Sequence, residues 1–226
     1  MYNTEKNLNR LLKGQSTFFL DKKEVMELKG KLKKNEYQIY YPYPDSEKVI
    51  FYTKSLPEVL LYEIISPTPL RHQDILGTMY SLQISSEMFG DIILDNGHYY
   101  IYIIKLFQNY FESNFTMVRN TTIQLKELDI DYLSTYYRKY EELELIVSSE
   151  RIDTIISRIL NTSRSIVEEK YKNKEILYNE DYLKKLDQKL KINDTFSIRK
   201  IGKFKYNGII KNTKSNNFIV SIYKYL

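Results

Sequence analysis

The chain of 226 residues contains no cysteine and no tryptophan. Without cysteine it can form no disulfide, no thiolate zinc site and no thiol nucleophile, a composition that suits a reducing cytoplasm. Its apolar runs are far shorter than the roughly 18 residues that a membrane-spanning helix needs. The first ten residues also lack the apolar centre of a signal peptide. We therefore expect a cytoplasmic protein with no membrane partner.

Motifs that hold cofactors or perform catalysis are equally scarce. The 7 glycines form no Gly-x-Gly loop and no phosphate-binding Walker loop. The 2 histidines, His72 and His98, have no serine or acidic partner in the order of a catalytic triad. We therefore expect no catalytic residue, no metal site, no cofactor and no small-molecule substrate.

Positive charge is concentrated in the last third of the chain. Residues 151–226 carry 17 Lys and Arg against 8 Asp and Glu, a net charge of +9, whereas the remainder carries 17 against 21, a net charge of −4. Clustered cations release counterions from a polyphosphate, so this asymmetry is typical of a nucleic-acid-binding module attached to another domain. The alternative is a solvated lysine-rich surface that reflects a biased composition.

The chain divides by pattern into three segments, at 1–56, 57–148 and 149–226, and we predict an α+β fold class. The first segment indicates a small α/β unit. A helix is expected after Asp21, because Asp21 and Glu24 have the spacing of a capping box.

The middle segment shows a regular succession of elements. A strand over 59–65 is followed by a helix, for which Thr68 is a cap and Pro69 lies in the first turn. A hairpin is expected around Asn96-Gly97, then a helix over 106–115 and a last strand near 143–147. The order β-α-β-β-α-β is that of a ferredoxin-like or RRM-like domain.

This middle domain offers a candidate second surface. The strand that follows Asn96-Gly97 alternates, so Tyr100 and Tyr102 share one face, which we expect to be open to solvent or to a partner. They can stack on bases as in RRM proteins, or simply pack. Arg71 and His72 complete this surface. The alternatives are a surface pair between Arg71 and Asp74 and a buried structural role for His72.

Two arginines mark the starts of two short helices in the last segment. Arg151 precedes an apolar helix, and Arg164 lies in the first turn of the next helix, where Thr162 or Ser163 can provide the cap. Helix N-termini offer free N–H groups and the positive end of the helix dipole, so guanidinium groups there make a good phosphate receptor.

Four short strings carry a resemblance to a known domain. Arg-Ile-Asp at 151–153, Ser-Arg at 163–164, Ile-Leu-Tyr-Asn at 176–179 and Asn-Asp at 193–194 follow one another as in S4 RNA-binding domains. One position departs from that pattern. The family usually has glycine after the second helix, where this chain has Lys174, so we expect Asn173 to take the left-handed conformation there.

Upstream strings narrow the resemblance. Together with an S4 domain, the stretches 69–77, 89–92 and 202–204 resemble the YlmH family of bacterial S4 proteins. This resemblance implies an RRM-like middle domain and an S4 domain with a C-terminal β-hairpin. It also implies binding to rRNA of the 50S subunit and to tRNA, alongside nascent-chain factors of ribosome-associated quality control, and a link to cell division.

The resemblance also assigns site residues. Arg151 and Arg164 match arginines that hold RNA phosphates, Ser163 matches a helix cap, and Asn179 matches the asparagine of a turn. Arg151 can instead pair with Asp153 or Glu150, and Asn179 can be a turn former only. Lysines expected to contact the RNA backbone are Lys170, Lys172, Lys174, Lys200, Lys203 and Lys205.

An enzyme is the competing hypothesis. S4 domains also occur on pseudouridine synthases and rRNA methyltransferases, and Arg151-Ile152-Asp153 superficially resembles the catalytic aspartate motif of the former. The resemblance to the first S4 helix explains this triplet, and the 150 residues before it are few for a catalytic domain. We therefore expect a non-catalytic RNA-binding protein, with an rRNA-modifying enzyme as the alternative.

Overall fold

The computed structural model describes residues 2–56 and 58–225; Pro57, the first residue of the predicted middle segment, lies outside this range. Within the described residues, helices lie between runs of strands that pair antiparallel, which confirms the α+β class. The helices are α1 Tyr2–Leu12, α2 Lys22–Lys29, α3 His72–Ser81, α4 Gln108–Asn114, α5 Ile152–Ile159 and α6 Arg164–Lys172. No helix in the described part is both long and apolar enough to cross a membrane.

The strands range in length from 2 to 11 residues. Their bounds are β1 Gln38–Tyr40, β2 Ile50–Tyr52, β3 Val59–Ile65, β4 Phe89–Asp95, β5 His98–Ile104, β6 Met117–Val118, β7 Thr121–Thr122, β8 Gln124–Leu128, β9 Tyr140–Val147, β10 Ile176–Tyr178, β11 Asp181–Tyr182, β12 Thr195–Ile198, β13 Gly202–Asn212 and β14 Phe218–Tyr225. The chain forms two compact units, Met1–Tyr137 and Arg138–Leu226. The finer division at 56 and 148 stays a prediction.

The main sheet of the first unit is four-stranded and antiparallel, in the order β4-β5-β3-β8. Helix α3 follows β3 and helix α4 follows β5, so the predicted succession of elements is present. Its predicted last strand is wrong. The strand near 143–147 is β9, which pairs with β14 in the other unit, and β8 takes the fourth position. Only Leu125 and Leu128 are apolar in β8, so its sequence signal was weak.

Local signals set some of the element ends. Asp21 accepts from the backbone N–H of Glu24 and closes the predicted capping box. Asn96 and Gly97 have φ of 48° and 86° and form the predicted hairpin turn. Helix α3, however, begins at His72 and not near Pro69, because the hydroxyl of Ser66 holds the backbone of Thr68 in a separate turn.

The second unit is built on a six-stranded sheet in the order β11-β10-β12-β13-β14-β9. Helices α5 and α6 bury Ile152, Ile155, Ile156 and Val167 in one core with residues of this sheet. The predicted β-hairpin tail is present as β13 and β14. Helix α6 ends differently from the prediction, because Lys174, with φ of 55°, takes the left-handed conformation instead of Asn173.

Candidate nucleic-acid interface

Arg151 and Asp153 form a two-pronged ion pair at the start of α5. Arg151 is the N-cap residue, and its Nε and Nη2 donate to the two carboxylate oxygens of Asp153 at 3.1 and 2.8 Å. The carboxylate raises the pKa of Arg151 above its ordinary value. The Arg151 side chain remains 42% exposed, whereas that of Asp153 is 5% exposed. Asp153 therefore fixes the guanidinium group while leaving it accessible.

Thr154 connects this pair to the second predicted arginine. Its backbone N–H donates to Asp153 Oδ1 at 2.8 Å, and its Oγ1 accepts from Arg164 Nη2 at 2.9 Å. Arg164 is exposed at the first position of α6. The two arginines chosen from sequence thus belong to one hydrogen-bonded group. We call Arg151, Asp153, Thr154 and Arg164 the arginine network.

The predicted cap residue of α6 has the expected position but does not cap the helix. Ser163 occupies the N-cap of α6, but its hydroxyl lies 2.7 Å from that of Ser165 and makes no bond to the helix backbone. No side chain among the described residues caps this end, so the first N–H groups of α6 remain available. Beside them lies a polar cavity of about 370 Å³, to which Arg158 and Arg164 contribute.

The predicted lysines are dispersed over the second unit. Lys170 and Lys172 pair with Glu175 and Glu168 at 2.9 and 2.8 Å, and the bond from Lys170 lowers the pKa of Glu175. Lys203 pairs with Glu180 at 2.9 Å. Each of these cations is partly neutralised, so none is a strong single contact.

The other three predicted lysines form no ion pair with any residue that the structure describes. Lys174 and Lys205 lie 5.8 and 6.0 Å from the ring centres of Tyr182 and Tyr140, and Lys200 is exposed in the turn before β13. Contact of all six lysines with an RNA backbone stays a prediction.

Asn179 is a turn former, which was the alternative to a role in RNA contact. It has a φ of 47° at the turn between β10 and β11. Its Nδ2 donates to Asp194 at 3.0 Å, and its Oδ1 accepts from the N–H of Thr195 at 3.0 Å. The Asn-Asp string before β12 is thus explained by this turn, and an RNA contact of Asn179 remains a prediction.

The tyrosine face of the middle sheet is not open to solvent, so the alternative in which Tyr100 and Tyr102 simply pack is confirmed. Tyr100 is 5% exposed and Tyr102 is 0% exposed. The alternation itself is confirmed, because Tyr99 faces the core under α3 and α4 while these two rings face the opposite core. Neither ring can stack on a base in this arrangement.

The covering residues come from the N-terminal segment and from the chain after β8. Phe19, Tyr43 and Leu133 share a core with Tyr100 and Tyr102. Phe19 crosses the sheet at Gly90, where an added Cβ would lie 3.2 Å from its ring. Tyr43 donates to Asp91 at 2.6 Å, and Tyr102 donates to the carbonyl of Pro42 at 3.1 Å. The N-terminal α/β segment therefore closes the face that RRM proteins leave open.

Arg71 and His72 lie at the start of α3. Arg71 donates to both carboxylate oxygens of Asp74 at 2.9 Å, as its alternative predicted. His72 is exposed, so the buried structural role is wrong. Gly77, further along α3, has no atom within 4 Å of a Cβ built there, so close packing does not require a glycine at this position.

The sequence reasoning missed Arg158 and Arg119. Arg158 lines the cavity beside Arg164, and Arg119 lies 3.6 Å from Asp74 with a side chain 65% exposed. Arg158 falls one turn after Thr154 on α5, a helical spacing that could have connected it to Arg164. In the described part of the chain, no cluster of His, Asp or Glu could hold a metal ion.

Comparison with known proteins bears on the middle of the chain. Residues 58–132 match the family described as "Putative RNA-binding domain in YlmH". A solved structure, "Cell division protein ylmH from Streptococcus pneumoniae", is 20% identical, with 59% of this chain and 91% of that chain covered and a TM-score of 0.46. The curated proteins gave no match.

The matched range runs from β3 through β8, the whole four-stranded sheet with α3 and α4. These residues, of mixed α and β structure, are similar to the putative RNA-binding domain of YlmH, in agreement with the resemblance found in the sequence strings, and this match supports RNA binding. The arginine network lies outside the matched residues.

Proposed function

We propose that this protein is a non-catalytic RNA-binding factor that docks its second unit on rRNA of the 50S subunit or on peptidyl-tRNA, in ribosome-associated quality control. In this proposal the second unit is an S4 domain, and the four-stranded sheet with its two helices is an RRM-like domain. The observation that carries it is the arginine network, because two predicted phosphate ligands form one preorganised group at two helix starts.

The geometry of the network favours folded RNA. Phosphate contacts set the position of a protein on RNA without reading its sequence, and double-stranded RNA is recognised mostly by shape and backbone. The second unit combines the network with dispersed lysines, and no stacking face is available on the middle sheet. These features suit backbone recognition of a structured RNA.

The covered tyrosine face changes how the middle domain would bind RNA. Arg71 and Arg119 flank Asp74 with side chains 66% and 65% exposed. In our proposal this exposed edge of the domain, and not the sheet face, meets RNA or a ribosomal protein. Asp74 holds both guanidinium groups, as Asp153 holds Arg151.

Sedimentation of lysate in sucrose gradients tests the proposal. We expect the protein to migrate with free 50S particles at low salt and to leave them at high salt, because backbone contacts depend on counterion release. The double variant Arg151→Gln/Arg164→Gln should migrate at the top, and its salt dependence of RNA binding should be flatter by about two phosphate contacts. Unchanged migration would contradict the proposal.

Two controls keep this result interpretable. Urea unfolding checks that the double variant remains folded, since Arg151→Gln leaves the buried Asp153 without its partner. Arg151→Lys/Arg164→Lys retains the charge but loses the planar fork. It should keep the salt dependence and lose affinity, whereas wild-type affinity would mean that charge alone matters.

A further inference from the structure

The cavity beside the network has the lining of an anion site. It lies where α5 ends and α6 begins, and Arg158 and Arg164 supply two positive charges. The other lining side chains are hydroxyls and one amide, from Ser148, Thr154, Ser157, Asn161, Thr162 and Ser163. Among the described residues, no carboxylate lines this cavity, so it does not repel an anion. No aromatic ring lines it either, so it offers no stacking partner for a base.

Arg158 differs from the other arginines of this region. It is exposed in the last turn of α5, and its guanidinium has no hydrogen bond or ion pair to any residue that the structure describes. A cation near a helix C-terminus is mildly stabilising, but that effect does not require a position on a cavity. Arg158 is therefore an unneutralised cation beside Arg164.

Thr162 supplies an independent indication of a ligand. Its Oγ1 is buried and has no hydrogen-bond partner within the described residues, and Thr162 lines the same cavity. Buried polar groups are nearly always paired, so an unpaired hydroxyl beside a polar cavity calls for a partner from outside the chain. The uncapped first turn of α6 adds free N–H groups at the same place.

We propose that this cavity is a phosphate-binding pocket, in which Arg158 and Arg164 hold the anion and Thr162 with the first turn of α6 donates hydrogen bonds to it. The inference rests on the proposed function, since the phosphate is that of the bound RNA. A volume of about 370 Å³ is at the small end of ligand pockets and exceeds the need of a single phosphate. It accepts either a backbone phosphodiester at a sharp turn or a terminal monophosphate.

Titration of the full chain with inorganic phosphate, followed by amide NMR at constant ionic strength, tests the pocket itself. We expect saturable shifts at residues 162–166, weakened at least tenfold in Arg158→Gln, because one charge-assisted bond is lost. Lys214→Gln is the matched control, since it removes one exposed charge between β13 and β14 that does not line the cavity, and it should not change the titration. Shifts that do not saturate, or that persist in Arg158→Gln, overturn the proposal.

Thr162→Val separates a ligand role from a structural role. Removing an unpaired buried hydroxyl should raise Tm, while loss of a donor to phosphate should lower the phosphate affinity. A merely structural threonine predicts a change in Tm only, and that result would overturn the role of Thr162.

RNA binding identifies the source of the phosphate. We compare hairpins of one sequence with a 5′-hydroxyl or a 5′-monophosphate. Equal weakening of both by Arg158→Gln indicates backbone phosphates, and weakening of the 5′-phosphorylated hairpin alone indicates the terminal group. If Arg158→Gln binds both normally while the Arg151/Arg164 variant does not, the pocket is wrong and the proposed function stands. If no hairpin binds but the phosphate titration remains, the proposed function fails instead.

Discussion

The two sheets of this protein use their polar and aromatic residues in opposite ways. The four-stranded sheet buries tyrosines on both faces under its own chain, with Tyr62 and Tyr99 on one side and Tyr100 and Tyr102 on the other. The six-stranded sheet carries helices whose starts expose two arginines, of which Arg151 is held by the buried Asp153 and Arg164 donates to Thr154. Aromatic richness in this chain thus marks packing, whereas preorganised charge marks the candidate interface.

The difference follows from what each group loses on burial. A tyrosine ring gains free energy when it leaves water, provided that its hydroxyl finds a partner, and Tyr62 and Tyr102 both do so, at Glu112 and at the carbonyl of Pro42. A guanidinium group loses more than it gains unless it is paired. Arginines therefore stay at the surface, where one carboxylate orients them without removing them from solvent.

The largest expected effect is a loss of stability when a buried tyrosine of the first unit is removed. Tyr102→Ala should lower the free energy of unfolding by about 3–5 kcal/mol, because it removes a fully buried ring. Urea unfolding measures this loss, and RNA affinity per folded molecule should not change. Tyr137→Ala is the control, since that ring is 67% exposed and its loss should cost less than about 0.5 kcal/mol. A stable Tyr102→Ala protein with weakened RNA binding would instead support the hypothesis that the tyrosine face is open and stacks on bases.

A smaller effect is expected when the arginine network of the second unit loses its aspartate. Asp153→Asn removes the ion pair with Arg151 and should lower the free energy of unfolding by about 1–3 kcal/mol, because Asp153 is buried. RNA affinity should fall although the net charge rises, since Arg151 loses its orientation. Filter binding or fluorescence anisotropy measures this.

The control for Asp153→Asn is Glu168→Gln, which makes the same charge change at an exposed pair with Lys172. It should leave stability nearly unchanged and raise RNA affinity slightly. If Asp153→Asn instead binds RNA as tightly as Glu168→Gln, charge alone governs binding and the geometry of the network is irrelevant.

Sequence reasoning succeeded where one local signal decides the structure. The capping box at Asp21 and Glu24, the Asn96-Gly97 turn and the alternation around Tyr100 depend on neighbours only, and all three are present. The arginines at the starts of α5 and α6 were found for the same reason, since helix starts are readable from capping and periodicity.

Sequence reasoning failed where the structure depends on contacts between distant parts of the chain. Nothing local in Tyr102 reveals that Phe19 and Tyr43 cover it, because that contact joins segments about eighty and sixty positions apart along the sequence. The strand at 140–147 has an apolar pattern that suits either sheet, and only its eight-residue pairing with β14 assigns it. Arg158 was missed because the cavity that gives it meaning forms only when α5 and α6 fold together.

The smallest expected effect concerns Lys174 of the second unit, a charged residue in a backbone conformation that favours glycine. Lys174 has a φ of 55° directly after α6, a conformation that costs an L-residue roughly 1 kcal/mol relative to glycine. Lys174→Gly should therefore raise the free energy of unfolding by about 1 kcal/mol in urea titrations. Lys172→Gly is the matched control. It removes the same charge from the last residue of the helix, where glycine should destabilise by at most about 0.5–1 kcal/mol. Equal weakening of RNA binding by the two variants, with opposite changes in stability, would show that Lys174 is a cation kept at the expense of backbone strain. Loss of stability in Lys174→Gly would mean that its side chain, 5.8 Å from the ring centre of Tyr182, packs more than it strains.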